Sequence, residues 1–184
     1  MGLASLLSLA GLLPGVIVSG ALTSKVGKKN LYILGMVCFG VFPLLKLVDV
    51  TSVPILLAAT VLANLGNGIM MPQMYSILAD NTDYVEIKTG YRAEAAVASL
   101  SSFVAKFSMG IGGAIPGYLL AAVGFDGKAA VQPEGVNAMI INCAIVIPAV
   151  LCVVSAIVMQ VFYPLNKKKL EEQTEEIKKL HGQA

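Results

Sequence analysis

Three groups of residues in this 184-residue chain have types and positions that could do chemistry. They are a lysine alone in an uncharged run, a stripe of polar and aromatic residues at helical spacing, and a segment of interleaved acids and bases. Lys106 is the only charged residue between positions 95 and 123. If that run is a membrane helix, Lys106 lies about 16 Å in, close to the midplane of a ~30 Å hydrocarbon core. Its stem reaches about 6 Å, too short to bring the ammonium to the interface. A charge at that depth costs about 2.5–3.5 kcal/mol on insertion scales, so it needs an internal partner or a water-filled cavity. No acidic residue of the chain sits at comparable depth. The partner is therefore expected on a helix outside this sequence; the competing reading is a span boundary that brings Lys106 nearer to water. Ser102 stands one helical turn before Lys106 and shares its face.

Asn64, Asn67, Met71 and Tyr75 recur at three- or four-residue spacing, so they line one stripe of a helix. Two amides and a phenol on one stripe suit a hydroxyl-rich ligand, with the ring of Tyr75 as a platform. For the asparagines, hydrogen bonding to a neighbouring helix, worth ~0.6 kcal/mol per contact, is an equally good reading. Lys46 needs no such account: it stands near a helix end with Asp49 three residues on, where a lysine reaches the interface by snorkelling.

The third group is the segment 80–94, which holds Asp80, Asp83, Glu86, Lys88, Arg92 and Glu94: six charges of both signs in fifteen residues. Read as a loop, it is either a solvated connection or a network whose pairs exchange when the protein moves. Residues alone leave the two open.

The elements that must position these residues follow from composition. Hydrophobic residues make up 57% of the chain and charged residues 13%, too few charges for the water-facing surface of a soluble domain this long. Positions 1–24, 30–45, 50–79, 107–125 and 135–166 carry no charge. The runs are continuous rather than alternating, and lipid cannot satisfy open backbone groups, so helices rather than a barrel are predicted. Five spans are expected, at about 3–23, 30–48, 53–79, 95–123 and 137–162, followed by a tail over 163–184. The glycine pairs Gly11/Gly15 and Gly113/Gly117 permit close helix approach, with packing inside one bundle favoured over dimerisation.

Lysine and arginine fall unevenly about these spans. One side holds Lys25, Lys28, Lys29, Lys88, Arg92, Lys167, Lys168, Lys169, Lys178 and Lys179; the other holds Lys128, with Lys46 at a helix end. The crowded side is expected to be cytoplasmic, which puts the N-terminus outside and the C-terminus inside a cell membrane. Basic residues clustered at the ends of apolar runs argue against a nucleic-acid footprint. Cys38, Cys143 and Cys152 lie inside apolar runs without metal-ligand spacing and read as small apolar residues. No nucleophile–base pair or phosphate loop is visible, so an enzyme is not expected, nor a cofactor. The tail, rich in Lys and Glu, reads as a solvated helix whose basic end suits anionic headgroups. His181 has no visible partner there and is given no role. The chain opens inside an apolar run with no basic leader, which is the expectation for a piece of a longer protein.

The string Ala79-Asp80-x-x-Asp83-Tyr84-x-Glu86-x-Lys88-Thr89-Gly90-x-Arg92-x-Glu94 resembles the motif of the glycoside–pentoside–hexuronide:cation symporters, within the major facilitator superfamily. In that family it joins helices ten and eleven on the cytoplasmic side. The similarity runs through the chain. The stretch 20–29 is similar to the superfamily's basic loop between helices eight and nine, Gln132-Pro133-Glu134 falls in an external loop, and 163–170 looks like the family's tail. Two positions depart from it: Ser24 stands where an acid is common, and Ala95 where glycine is usual.

The resemblance implies an all-α integral membrane protein whose five spans correspond to helices eight to twelve of a twelve-helix fold. It implies symport of a sugar with Na⁺ or H⁺ by alternating access, with the coupling cation and the N-terminal half as partners beside the lipid bilayer. On that reading the chain supplies one wall of the sugar site, for which Lys106, Ser102, Tyr75, Met71, Asn67 and Asn64 are the candidates by depth and spacing, and part of the cytoplasmic gate, with Asp80, Asp83, Tyr84, Glu86, Arg92 and Glu94 of the motif as its candidates. The family carries a lysine at the place of Lys106, facing the acidic cation site of the other half. The rival reading is a non-transporting membrane fragment or assembly partner derived from a transporter.

Overall fold

The computed structural model describes residues 3–49, 51–129, 131–133 and 135–182. Among them, helix accounts for nearly all regular structure, and five helices are long and apolar enough to cross a membrane. In chain order the helices are α1 (Leu3–Val26), α2 (Lys28–Val41, continuing as a 3₁₀ segment Phe42–Leu47), α3 (Val53–Thr89) and α4 (Glu94–Ala122). Then come α5 (Val136–Ile141), a π-helical turn Asn142–Val146, α6 (Ile147–Phe162) and α7 (Lys167–Leu180).

Local chemistry explains the breaks. Gly27, at φ 87°, separates α1 from α2 in a backbone region that a side chain would make costly. The 3₁₀ segment begins at Phe42-Pro43, where proline withdraws a donor. The π turn ends where the Ile147 N–H reaches back to Asn142 O, one residue before Pro148, which has no N–H to offer.

α3 is the centre of the bundle, with α1 and α2 packed along it and α6 against α2. Glycines let the backbones meet. Gly11 abuts the Val61 carbonyl, and Gly15 the Leu65 carbonyl and Gly68. A Cβ on Gly35 would lie 2.7 Å from Gly66 O. The Gly11/Gly15 pair is therefore spent inside the bundle. The Gly113/Gly117 pair is different: a Cβ added at either would meet no other element within 4 Å among the described residues. α4 as a whole stands off, touching α3 and α5 only lightly, with none of its described residues buried.

α3 departs from the expected span in a way that matters. Its 37 residues, about 55 Å at ~1.5 Å each, exceed even the ~40–45 Å of a whole bilayer. The segment 80–94 is thus not a loop: helix continues to Thr89 and ends at Gly90, whose left-handed backbone (φ 74°) closes a hydrogen bond to Glu86 O. Only 90–93 connects α3 to α4. Nothing between Asp80 and Thr89 breaks a helix, so α3 simply projects from the lipid.

Candidate functional site

At the projecting end of α3, one turn after another carries an acid. Asp80 faces the α1–α2 turn and is 9% exposed. Lys28 Nζ donates to both its oxygens, at 2.7 and 2.8 Å. One turn on, Arg92 gathers the rest: its Nη1 lies 3.2 Å from Asp83 and 2.8 Å from Glu86, and its Nε is 3.5 Å from Glu94. One guanidinium thereby ties the end of α3 to the start of α4. Tyr84 shares this turn, with Lys88 Nζ 5.8 Å from its ring centre. The two halves of the expected gate are therefore separate clusters, one built on Asp80 and one on Arg92.

The tail corrects two expectations. α7 is not a free solvated helix: it lies along the end of α3 with Gln173 buried, and Leu165 just before it is buried as well. Gln173 Nε2 donates to Asp80 O at 2.7 Å, and Lys167 Nζ donates to Ser24 O at 2.8 Å. His181 does have a partner: its Nε2 is 2.8 Å from Glu86 Oε1, across 95 residues of sequence. The His181 hydrogen bond, then Arg92, holds the Glu86 carboxyl below its ordinary range, and Glu86 with Asp83 raises Arg92 in return. Tyr163, at the end of α6, is pushed up by burial and by the Asp80 charge, and its hydroxyl is buried without a partner among the described residues.

Sequence reasoning missed a second polar node, inside the bundle. Ser19 Oγ donates to Ile69 O at 3.0 Å, Thr23 Oγ1 to Ser19 O at 2.6 Å, and Gln73 Nε2 to both hydroxyls at 2.7 and 2.8 Å. Ser19 and Gln73 are 0% and 3% exposed. One turn separates Ser19 from Thr23, a spacing that shows they share a face but not what they face.

The residues of the expected substrate wall are arranged differently from those of the expected gate. Asn64 donates to Thr60 O of its own helix at 2.8 Å. Asn67 makes no side-chain hydrogen bond among the described residues, while Met71 and Tyr75 are 41% and 62% exposed. Tyr75 lines a cleft of about 180 Å³ with Leu78, Thr82, Glu94 and Ala98, between α3 and the first turns of α4. Lys106 and Ser102 lie further along α4, exposed. Lys106 has no ion pair or hydrogen bond among the described residues. The stripe on α3 and the lysine on α4 are thus not joined by any hydrogen bond or ion pair among the described residues.

With this geometry in place, comparison with known proteins gives the family. Residues 1–167 match the family MFS/sugar transport protein, and the chain belongs to it. It is 33% identical over 181 residues to the glucuronide carrier protein homolog of Escherichia coli, covering 96% of this chain and 39% of that protein. It is 36% identical over 154 residues to the isoprimeverose transporter of Lactiplantibacillus pentosus, covering 83% and 32%. The lactose permease of Lactobacillus helveticus is 28% identical over 160 residues, covering 85% and 25%. The chain thus spans about a third of the length of the curated relatives it matches. These relatives are membrane transporters, and the chain is not an enzyme.

Proposed function

We propose that the protein to which these helices belong carries a glycoside, pentoside or hexuronide across the cell membrane together with Na⁺ or H⁺. This chain supplies helices eight to twelve, and the helices that complete the site lie in the rest of the transporter. The family match over residues 1–167 carries the reading, and the names of the relatives point to glycosides and sugar acids.

The mechanism assigns the two regions distinct work. Tyr75, Met71, Asn67 and Asn64 on α3, with Ser102 and Lys106 on α4, form one wall of the substrate path. Lys106 is the group that senses the cation, because an ammonium on a membrane helix needs a carboxylate opposite it. Asp80, Asp83, Tyr84, Glu86, Arg92 and Glu94 form the inner gate, at the end that the lysine asymmetry puts in the cytoplasm. Rocking of one bundle against the other would exchange these pairs while the midplane site stays intact.

The test is uptake of labelled glucuronide and pentoside glycosides by sealed vesicles holding the full-length protein, under an imposed Na⁺ or H⁺ gradient. Accumulation that follows one gradient and collapses with it supports symport. Uptake that only equilibrates, whichever gradient is imposed, would leave a facilitator without coupling.

A further inference from the structure

α2 and α6 diverge beside their closest contact. A Cβ on Gly40 would lie 2.5 Å from the Cβ of Cys152 and 3.4 Å from Ala149 O, so the two backbones nearly touch there. Beyond that point each helix leaves α geometry, and in opposite senses. α2 tightens into the 3₁₀ segment Phe42–Leu47, and the α5–α6 helix widens into the π turn Asn142–Val146. Side-chain ridges of unlike pitch do not interdigitate. A groove of about 310 Å³ is left along the seam, with Val41 and Leu44 on one wall and Val146, Val150, Val153 and Val154 on the other. Ala149, 4% exposed, is its floor, while Val150, Val153 and Val154 are 55%, 37% and 49% exposed.

Every residue that lines the groove is apolar. Its depth follows from a contact at one end of the helices. Lys29 Nζ donates to the carbonyls of Gln160 and Tyr163, which sets the start of α2 level with the end of α6. Counted from that end at ~1.5 Å per residue, the groove lies about 12–24 Å in, astride the middle of a ~30 Å hydrocarbon core. Water and polar ligands have nothing to bind there. A further helix is poorly matched as well, because close helix approach uses small residues. The open small-residue stripe of this chain is on α4, at Gly113 and Gly117, whereas α6 turns bulky Val150, Leu151 and Val154 outward.

We propose that the groove holds one acyl chain of a membrane lipid, kept between α2 and α6 while chains on the open faces of these helices exchange with the bilayer. A chain touched by two walls and a floor gains more dispersion contacts than one lying against a single helix, and it needs no polar partner. It fills the space that the 3₁₀ segment and the π turn leave between two membrane-spanning helices. The proposal rests on the membrane-spanning architecture alone and holds whether or not the transport reading does.

The test is photolabelling of the full-length protein in phosphatidylcholine vesicles doped with a phosphatidylcholine that carries a diazirine near the end of one chain. Mass spectrometry of the digest then locates the label. Label per residue at Val41, Leu44 and Val146 should exceed that at Leu151 and Phe39, which lie at similar depth outside the groove, about tenfold. Filling the groove with Val150→Phe and Val153→Phe should bring the label at Val41 and Leu44 down to the level of Leu151. The equally bulky Leu151→Phe should leave the excess in place. A probe with a phosphatidylglycerol headgroup should give the same pattern, since the groove meets only the chain. If the filled variant does not fold, the wild-type pattern still decides. Equal label in the groove and at Leu151 would mean ordinary boundary lipid. An unlabelled groove beside a labelled Leu151 would mean that another part of the protein covers it, and an excess seen only with phosphatidylglycerol would make the headgroup the ligand. Each of these results would overturn the acyl-chain site.

Discussion

His181 and Glu86 meet at 2.8 Å, and through them the end of the tail helix is fastened to the last full turns of α3. Glu86 is also the acid that Arg92 holds most closely, so one carboxylate serves both the tail and the α3–α4 junction. A carboxyl held below its ordinary range stabilises the docked state above the unfolded value of about 4.3, and that contribution is lost as pH falls through the lower folded value. Protease cleavage of the tail should therefore begin only under strongly acidic conditions. His181→Ala removes the largest cause of the shift and should move the onset of cleavage to higher pH. An onset that does not move would mean the contact contributes nothing to docking.

Arg92 contacts Asp83, Glu86 and Glu94 on two helices, in the part of α3 that projects beyond the apolar spans. In the full-length protein, Arg92→Ala should slow exchange of substrate across the membrane more than it weakens equilibrium binding. Binding and exchange are separable measurements. A large loss of affinity with an unchanged exchange rate would count against a gate.

Lys28 and Asp80 form a bidentate pair whose side chains are 29% and 13% exposed, between the limits of a surface and a buried ion pair. Surface pairs contribute about 0–1 kcal/mol, and breaking a buried one costs about 3–5. A double-mutant cycle with alanine at both positions should give a coupling of about 1–3 kcal/mol in thermal or chemical unfolding. Coupling near zero would place the pair among ordinary surface contacts.

Gly68 packs against the Leu12 carbonyl and Gly15, whereas Gly113 faces open space among the described residues. Gly68→Ala should cost about 1–3 kcal/mol through overpacking. Gly113→Ala should be neutral or slightly stabilising in the chain of 184 residues, since alanine favours helix and nothing obstructs it. Detergent melting curves of the two variants check both signs. A loss at Gly113 that arises only in the full-length protein would put a further helix against α4.

Lys106→Ala should abolish cation-driven accumulation in the full-length protein while leaving its insertion and surface level intact. Lys106 makes no contact among the described residues that the bundle needs, and the substitution removes a charge from a membrane helix. Lys106→Arg should rescue little, because a planar guanidinium does not replace a compact ammonium. Wild-type accumulation by the alanine variant would make Lys106 a tolerated charge.

Hydropathy and the motif of residues 79–94 made the membrane helices and the family legible from sequence, because lipid allows few backbone solutions and a chain must advertise its apolar runs. The acids and the arginine at the α3–α4 junction were legible too, as types and spacings. Their partners were not. Asp80 pairs with Lys28 across 52 residues, Gln73 with Ser19 across 54, and Glu86 with His181 across 95. Sequence order cannot reveal such pairs, because each depends on how the ends of separate helices fall side by side. The same holds for the glycines. Gly11/Gly15 and Gly113/Gly117 are alike as sequence, and only the packing of α1 on α3 distinguishes a filled stripe from an open one. The extension of α3 to Thr89 was hidden for a different reason. Composition registers where the chain leaves lipid, whereas a helix ends where its backbone is forced to, here at the left-handed Gly90.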